Sequence, residues 1–160
     1  MRVLVLLLLA LLPGLARADD AAGTFLRQAW QSTRMELDSA ELARQRQMHD
    51  LAPLAETMLE DNAYLGQQLQ DIAAQDGETL ANELDAAAEA VLEGLRILPD
   101  AAFRTAWLQH ELAAHRQALA LFGDYAAKGQ DEELRAFASE TLPQIQAHLD
   151  AIVALQKSAS

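Results

Sequence analysis

The 160-residue chain has no cysteine. That excludes a disulfide framework, a C-x-x-C-H haem attachment and a lipid anchor on an N-terminal cysteine. Packing must supply all of its stability. Basic residues are scarce, with 12 Lys and Arg against 24 Asp and Glu, a formal charge of −12. A chain so acidic repels phosphate backbones, which argues against a nucleic-acid partner. Long apolar runs are scarce too. Val3 to Leu12 is unbroken, but a bilayer-spanning helix needs about 20 apolar residues, and residues 19–160 hold no second run of that kind. There is no Gly-rich phosphate loop, nucleophile elbow or catalytic triad, and Ser32, Ser39 and Ser139 have no base nearby in the pattern.

The short apolar run has its own reading. Arg2 precedes it, Pro13 and Gly14 close it, and Ala16-Arg17-Ala18 offers small residues where a signal peptidase cuts. Residues 1–18 therefore read as a secretory signal peptide, and residues 19–160 as one exported domain of the periplasm or exterior, with no transmembrane segment after cleavage. Removing Arg2 and Arg17 makes the remaining chain more acidic still.

What is abundant is Ala, Leu, Gln, Glu and Arg, the good helix formers. Apolar residues recur at helical spacing in four long segments. The first spans Thr24 to Gln47, with Thr24 as its cap and Leu26, Trp30, Leu37 and Ala40 on its stripe. The second spans Leu51 to Gln75, with Asp50 as cap and Pro53 in the first turn, where a missing N–H is harmless. The third spans Asp100 to Ala127, capped by Asp100, and the fourth Asp131 to Gln156, capped by Asp131 and carrying Pro143 inside, where a bend is expected. Residues 76–99 form a long connection with a short helix of its own. Short links between the first pair and the second pair require two antiparallel hairpins. The long link between them is enough to travel the length of the bundle. The fold class is thus all-α, a ferritin-like antiparallel four-helix bundle with one long crossover containing a short helix.

Four polar side chains interrupt the apolar stripes: Glu36, Asn62, His115 and His148, one near the middle of each long segment. At similar helix lengths they meet in one layer. A buried unpaired polar group costs about 1–3 kcal/mol, so the four must satisfy one another, hold water or bind something. They form either a core polar layer that fixes helix register or a ligand site. A mononuclear centre for a divalent transition metal would use Glu36, His115 and His148; non-covalent haem between the two histidines is a further option. Di-iron bundles need Glu-x-x-His on two helices, but Leu112 and Ile145 stand three residues before His115 and His148. His110-Glu111-Leu112-Ala113-Ala114-His115 resembles the zinc-protease H-E-x-x-H with one residue too many. Five residues put its two imidazoles about 140° apart around the helix, so they cannot share an ion.

The strings DAAFRTAWLQHELAAHRQALALF and LRAFASETLPQIQAHL resemble the second half of the bacterial domain-of-unknown-function family DUF4142. Phe103, His115, Ala118, Leu119, Leu121, Phe122, Leu142, Pro143, His148 and Leu149 carry the resemblance there. Phe25, Glu36, Leu42, Ala43, Ala55, Met58 and Asp61 carry it in the first half. The resemblance implies an exported, ferritin-like domain and brings no activity with it. The family usually has histidine directly after the helix-B aspartate, and this chain has Asn62. A metal set built on that histidine would be one ligand short, whereas asparagine suits a hydrogen-bonded layer. The expectation is a non-enzymatic envelope protein, a binding module for an unknown protein partner or small ligand, stress-related by analogy. The alternative is a periplasmic metal-binding bundle using its core His and Glu.

Overall fold

A computed structural model describes residues 15–158, with side chains placed from residue 21 onward. The greater part of the expected signal peptide, residues 1–14, lies outside the described residues. Five helices follow one another: α1 (Leu15–Gln45), α2 (Ala52–Gln75), α3 (Ala86–Arg96), α4 (Asp100–Lys128) and α5 (Glu132–Lys157). No strand occurs among the described residues, and no helix there is long and apolar enough to cross a membrane.

The four long segments appear where the periodicity puts them, but their ends are set by tertiary partners. Helix α1 already runs through residues 15–23, ahead of Thr24. Thr24 is therefore interior, and its hydroxyl accepts from Arg27. Asp50 caps nothing. Leu51 holds the N-cap position of α2 without a side-chain bond, and Asp50 pairs with Arg104 of α4. Asp100 is drawn off likewise by Arg46 at 2.8 Å, leaving Pro99 at the N-cap of α4. Asp131 does cap α5, accepting from the Leu134 N–H at 2.8 Å. Gly77, at φ 70°, supplies the left-handed residue just beyond α2. Helix α5 runs on through Pro143 without a break.

Helices α1 and α2 form one hairpin and α4 and α5 the other; α1 also packs on α4, and α2 on α5. The crossover lies along α1. Trp30 donates to the Ala81 carbonyl at 2.6 Å and Gln31 to that of Glu83 at 3.1 Å. Some fifteen residues on, just past the end of α1, Arg46 donates to the carbonyls of Arg96 and Leu98. At 1.5 Å per residue that distance is about 24 Å, so the connection travels most of the bundle, and α4 runs antiparallel to α1. This is the ferritin-like arrangement of two hairpins and one long link.

The core is two apolar clusters with a polar belt between them. One holds Leu51, Met58, Phe103, Trp107, Leu108 and Ile152, beneath Leu92 and Leu95 of α3. The other holds Phe25, Trp30, Leu69, Phe122, Leu134 and Phe137, with the Phe25 ring stacked on Tyr125 at 4.1 Å. Each fully buried large side chain contributes about 1.5–3 kcal/mol. Between the clusters Thr33, Glu36, Ser39, Asn62, Glu111, His115, Thr141 and His148 are all buried.

Candidate metal centre in the bundle core

The belt is built from the helices inward. Helix α1 presents Glu36 and α2 presents Asn62. Helix α4 presents His115, and α5 presents His148. All four line one internal cavity of about 30 Å³, with Thr33, Leu65, Phe122 and Ile145 among its other walls. A single water requires about 10–15 Å³ by such a measure, so the cavity holds one or two waters or one ion. The His115 and His148 rings face each other edge to face at 5.5 Å between centroids.

A fifth polar residue, Glu111, completes the site. It is fully buried at 0% exposure, one turn before His115 on α4. The Ser39 hydroxyl donates to its Oε1 at 2.5 Å. Its Oε2 has no hydrogen-bond partner, nor has Oε2 of Glu36. These two orphaned oxygens lie 3.6 and 3.8 Å from His115 Nδ1. Glu36, Glu111 and His115 each offer a ligand atom, all within 4.8 Å of one another. His148 lines the same cavity but stands outside that trio.

The hydrogen bonds fix both imidazole tautomers. His115 Nδ1 lies 2.9 Å from the Glu111 carbonyl oxygen; a carbonyl only accepts, so Nδ1 carries the proton and Nε2 keeps its lone pair. His148 Nε2 lies 2.8 Å from Asp61 Oδ2, so a carboxylate orients that ring and Nδ1 is left bare. Metal-binding histidines are usually held this way, the second ring nitrogen donating to a carboxylate or backbone carbonyl. Asn62 donates to the Met58 carbonyl at 2.9 Å within its own helix.

Burial sets the charge states. The Glu36 carboxyl is pushed well above the usual glutamate range, first by desolvation, then by the charge of Glu111 and the hydrogen bond it makes to Glu111. Burial thus favours its protonated form in the absence of a cation. His115 is pushed below its usual value, chiefly by burial, although the charge and carbonyl of Glu111 pull the other way. The site thus brings a carboxyl biased toward its protonated form, a second carboxyl anchored by a serine, and an imidazole biased toward its neutral form within 4.8 Å of one another; of the three, Glu36 and His115 line the small hollow.

Glu36, Asn62, His115 and His148 come together at the positions their stripe interruptions indicate. The sequence reading missed Glu111 and Asp61. Glu111 had a signal: the stripe Phe103, Trp107, Ala114, Ala118 has a gap one turn after Trp107, and Glu111 fills it. It stands four residues before His115, not the three of the di-iron motif. Asp61 lies at the margin of the bundle, and nothing in its own helix's periodicity reveals a bond to α5.

Fold and site together define a ferritin-like helical bundle whose core is broken by a carboxylate and histidine layer. The chain belongs to the family of the domain of unknown function DUF4142, whose sequence profile matches residues 13–155. Among solved structures it is similar to a DUF305 fragment from Deinococcus radiodurans, with a TM-score of 0.76 over 86% of this chain and 96% of that one. The identity is 16%, a likeness of fold alone. No curated protein matches the sequence.

Proposed function

We propose that this protein is an exported, non-enzymatic bundle that binds one divalent transition-metal ion in its core through Glu36, Glu111 and His115, with His148 on the far wall. The observation that carries this reading is the pair of buried carboxylate oxygens without hydrogen-bond partners, 3.6 and 3.8 Å from one imidazole nitrogen. In the apo protein the Glu36 carboxyl can meet Glu111 only through its own proton; a cation between the two would displace that proton and engage both carboxylates. An ion reaching Nδ1 must take that nitrogen from the Glu111 carbonyl, whereas the bare Nε2 requires no such exchange. Mixed carboxylate and imidazole donors without thiolate suit Mn(II), Fe(II), Co(II), Ni(II) or Zn(II) rather than Cu(I). The leader-like segment Val3 to Leu12 supports export.

A register-fixing polar layer is the second reading, and the internal bonds of Asn62, Ser39 and His115 favour it. Calorimetric titration of chelator-treated protein with Co(II), Zn(II) and Mn(II) separates the two. Binding at one ion per chain, lost in Glu111→Gln and in His115→Ala, is expected. Absence of stoichiometric binding by any of these ions refutes the metal reading and leaves the layer.

A further inference from the structure

The core cavity shares a wall with a second hollow. A groove of about 440 Å³ runs on the outer face between α1 and α4, lined by Ser32, Met35, Glu36, His110, Gln117 and Ala118 among others. Ser32, Glu36 and Ala118 also line the core cavity. Two of these three are small, so Glu36 is the one long side chain in the partition. His110 lies on the groove side, with its Nε2 buried and without a hydrogen-bond partner. The five-residue spacing that forbids His110 and His115 from chelating one ion puts an imidazole on each side of this partition.

Volume decides where an arriving ion loses its water. By the same measure a water requires about 10–15 Å³, so a six-water shell requires about 60–90 Å³. The groove accommodates that; the core cavity, at about 30 Å³, does not. The ion must exchange most of its shell for protein donors before it passes the partition. The polar side chains lining the groove are Gln28, Ser32, Glu36, His110 and Gln117, and among them His110 Nε2 and Glu36 Oε2 have no hydrogen-bond partner. The acidic excess of the chain raises the local concentration of cations at such a mouth.

We propose that the groove between α1 and α4 is the port for the core centre: the half-buried His110 ring turns its Nε2 to meet the divalent transition cation arriving in the groove, and Glu36 passes it inward. This rests on the core cavity being a metal centre. His110 touches the ion only in transit, so it governs rates and leaves the equilibrium alone.

Stopped-flow mixing of the full apo chain with Co(II), followed by chelator-driven release, tests this. His110→Ala is expected to slow both association and dissociation, each on the order of tenfold, with Kd unchanged within about twofold. Ala118→Leu, which thickens the partition without removing a ligand, is expected to slow both rates in the same way. If parent protein binds stoichiometrically and neither variant alters the rates, the port is refuted while the centre stands. If His110→Ala weakens Kd through faster release, His110 is a resident ligand and the port is again refuted. A parent that binds no ion overturns both readings.

Discussion

Replacing Glu36 with glutamine keeps the side chain's size and a donor toward Glu111, and removes a titratable proton from the core. In the apo protein the native state holds this proton far above the usual glutamate value of 4.5, first because burial disfavours the carboxylate and then because Glu111 is beside it. The unfolded chain releases it near that value. Above pH 4.5 the native state therefore binds one more proton than the unfolded state, so the stability this group confers is complete below that pH and falls as pH rises toward the folded pKa. The slope is about 1.4 kcal/mol per pH unit across the window. The depressed pKa of His115 acts in the opposite sense, costing stability as pH drops below its usual 6.5; it is present in both chains and cancels in their difference. Urea unfolding in chelator at pH 4, 5, 6, 7 and 8 measures that difference. Near pH 4 the parent and Glu36→Gln should be nearly equal. By pH 8 the variant should be the more stable, by about 1.4 kcal/mol for each pH unit through which Glu36 keeps its proton, and its Tm higher by about 4 °C per kcal/mol. A gap that stays constant from pH 4 to pH 8 would show that Glu36 carries no retained proton, and the charge assignment of the site would fall with it.

Three further outcomes are expected. Ser39→Ala removes the donor to Glu111 Oε1 and should cost about 1–3 kcal/mol in urea unfolding, with the loss reduced when Zn(II) is present. Trp30→Phe keeps the ring in the core but loses its bond to Ala81; global stability should drop by about 1 kcal/mol, and hydrogen exchange should quicken at residues 79–84 before it does in the long helices. An added Cβ at Gly123, inside α4, meets no atom within 4 Å, so Gly123→Ala should stabilise the protein by about 0.8–1 kcal/mol, read as a rise in Tm.

The helices were legible because each long segment repeats apolar residues at one period, and the crossover was legible from its length. The midpoints of the helices were as readable as their stripes: Glu36, Asn62, His115 and His148 interrupt apolar positions, and the shared cavity follows from equal helix lengths. Helix ends were less legible. Asp50 and Asp100 have the chemistry of caps, but Arg104 and Arg46, some fifty residues away, hold them instead. Glu111 looked like part of a misspaced zinc-protease motif because local spacing was compared with known patterns. What makes it a site residue is Ser39 on another helix. The Asp61 and His148 pair is likewise a contact between helices that no single-helix period encodes.

The polar belt is shared by the two hairpins. Thr33, Glu36, Ser39 and Asn62 come from the α1–α2 half, and Glu111, His115, Thr141 and His148 from the α4–α5 half. An ion seated among them is therefore a clasp as well as a cargo, fastening two halves that the chain itself joins only by the strap along α1. On the proposed metal reading, its departure would loosen the seam between those halves, so that metal loading and the breathing of this bundle would be one linked equilibrium.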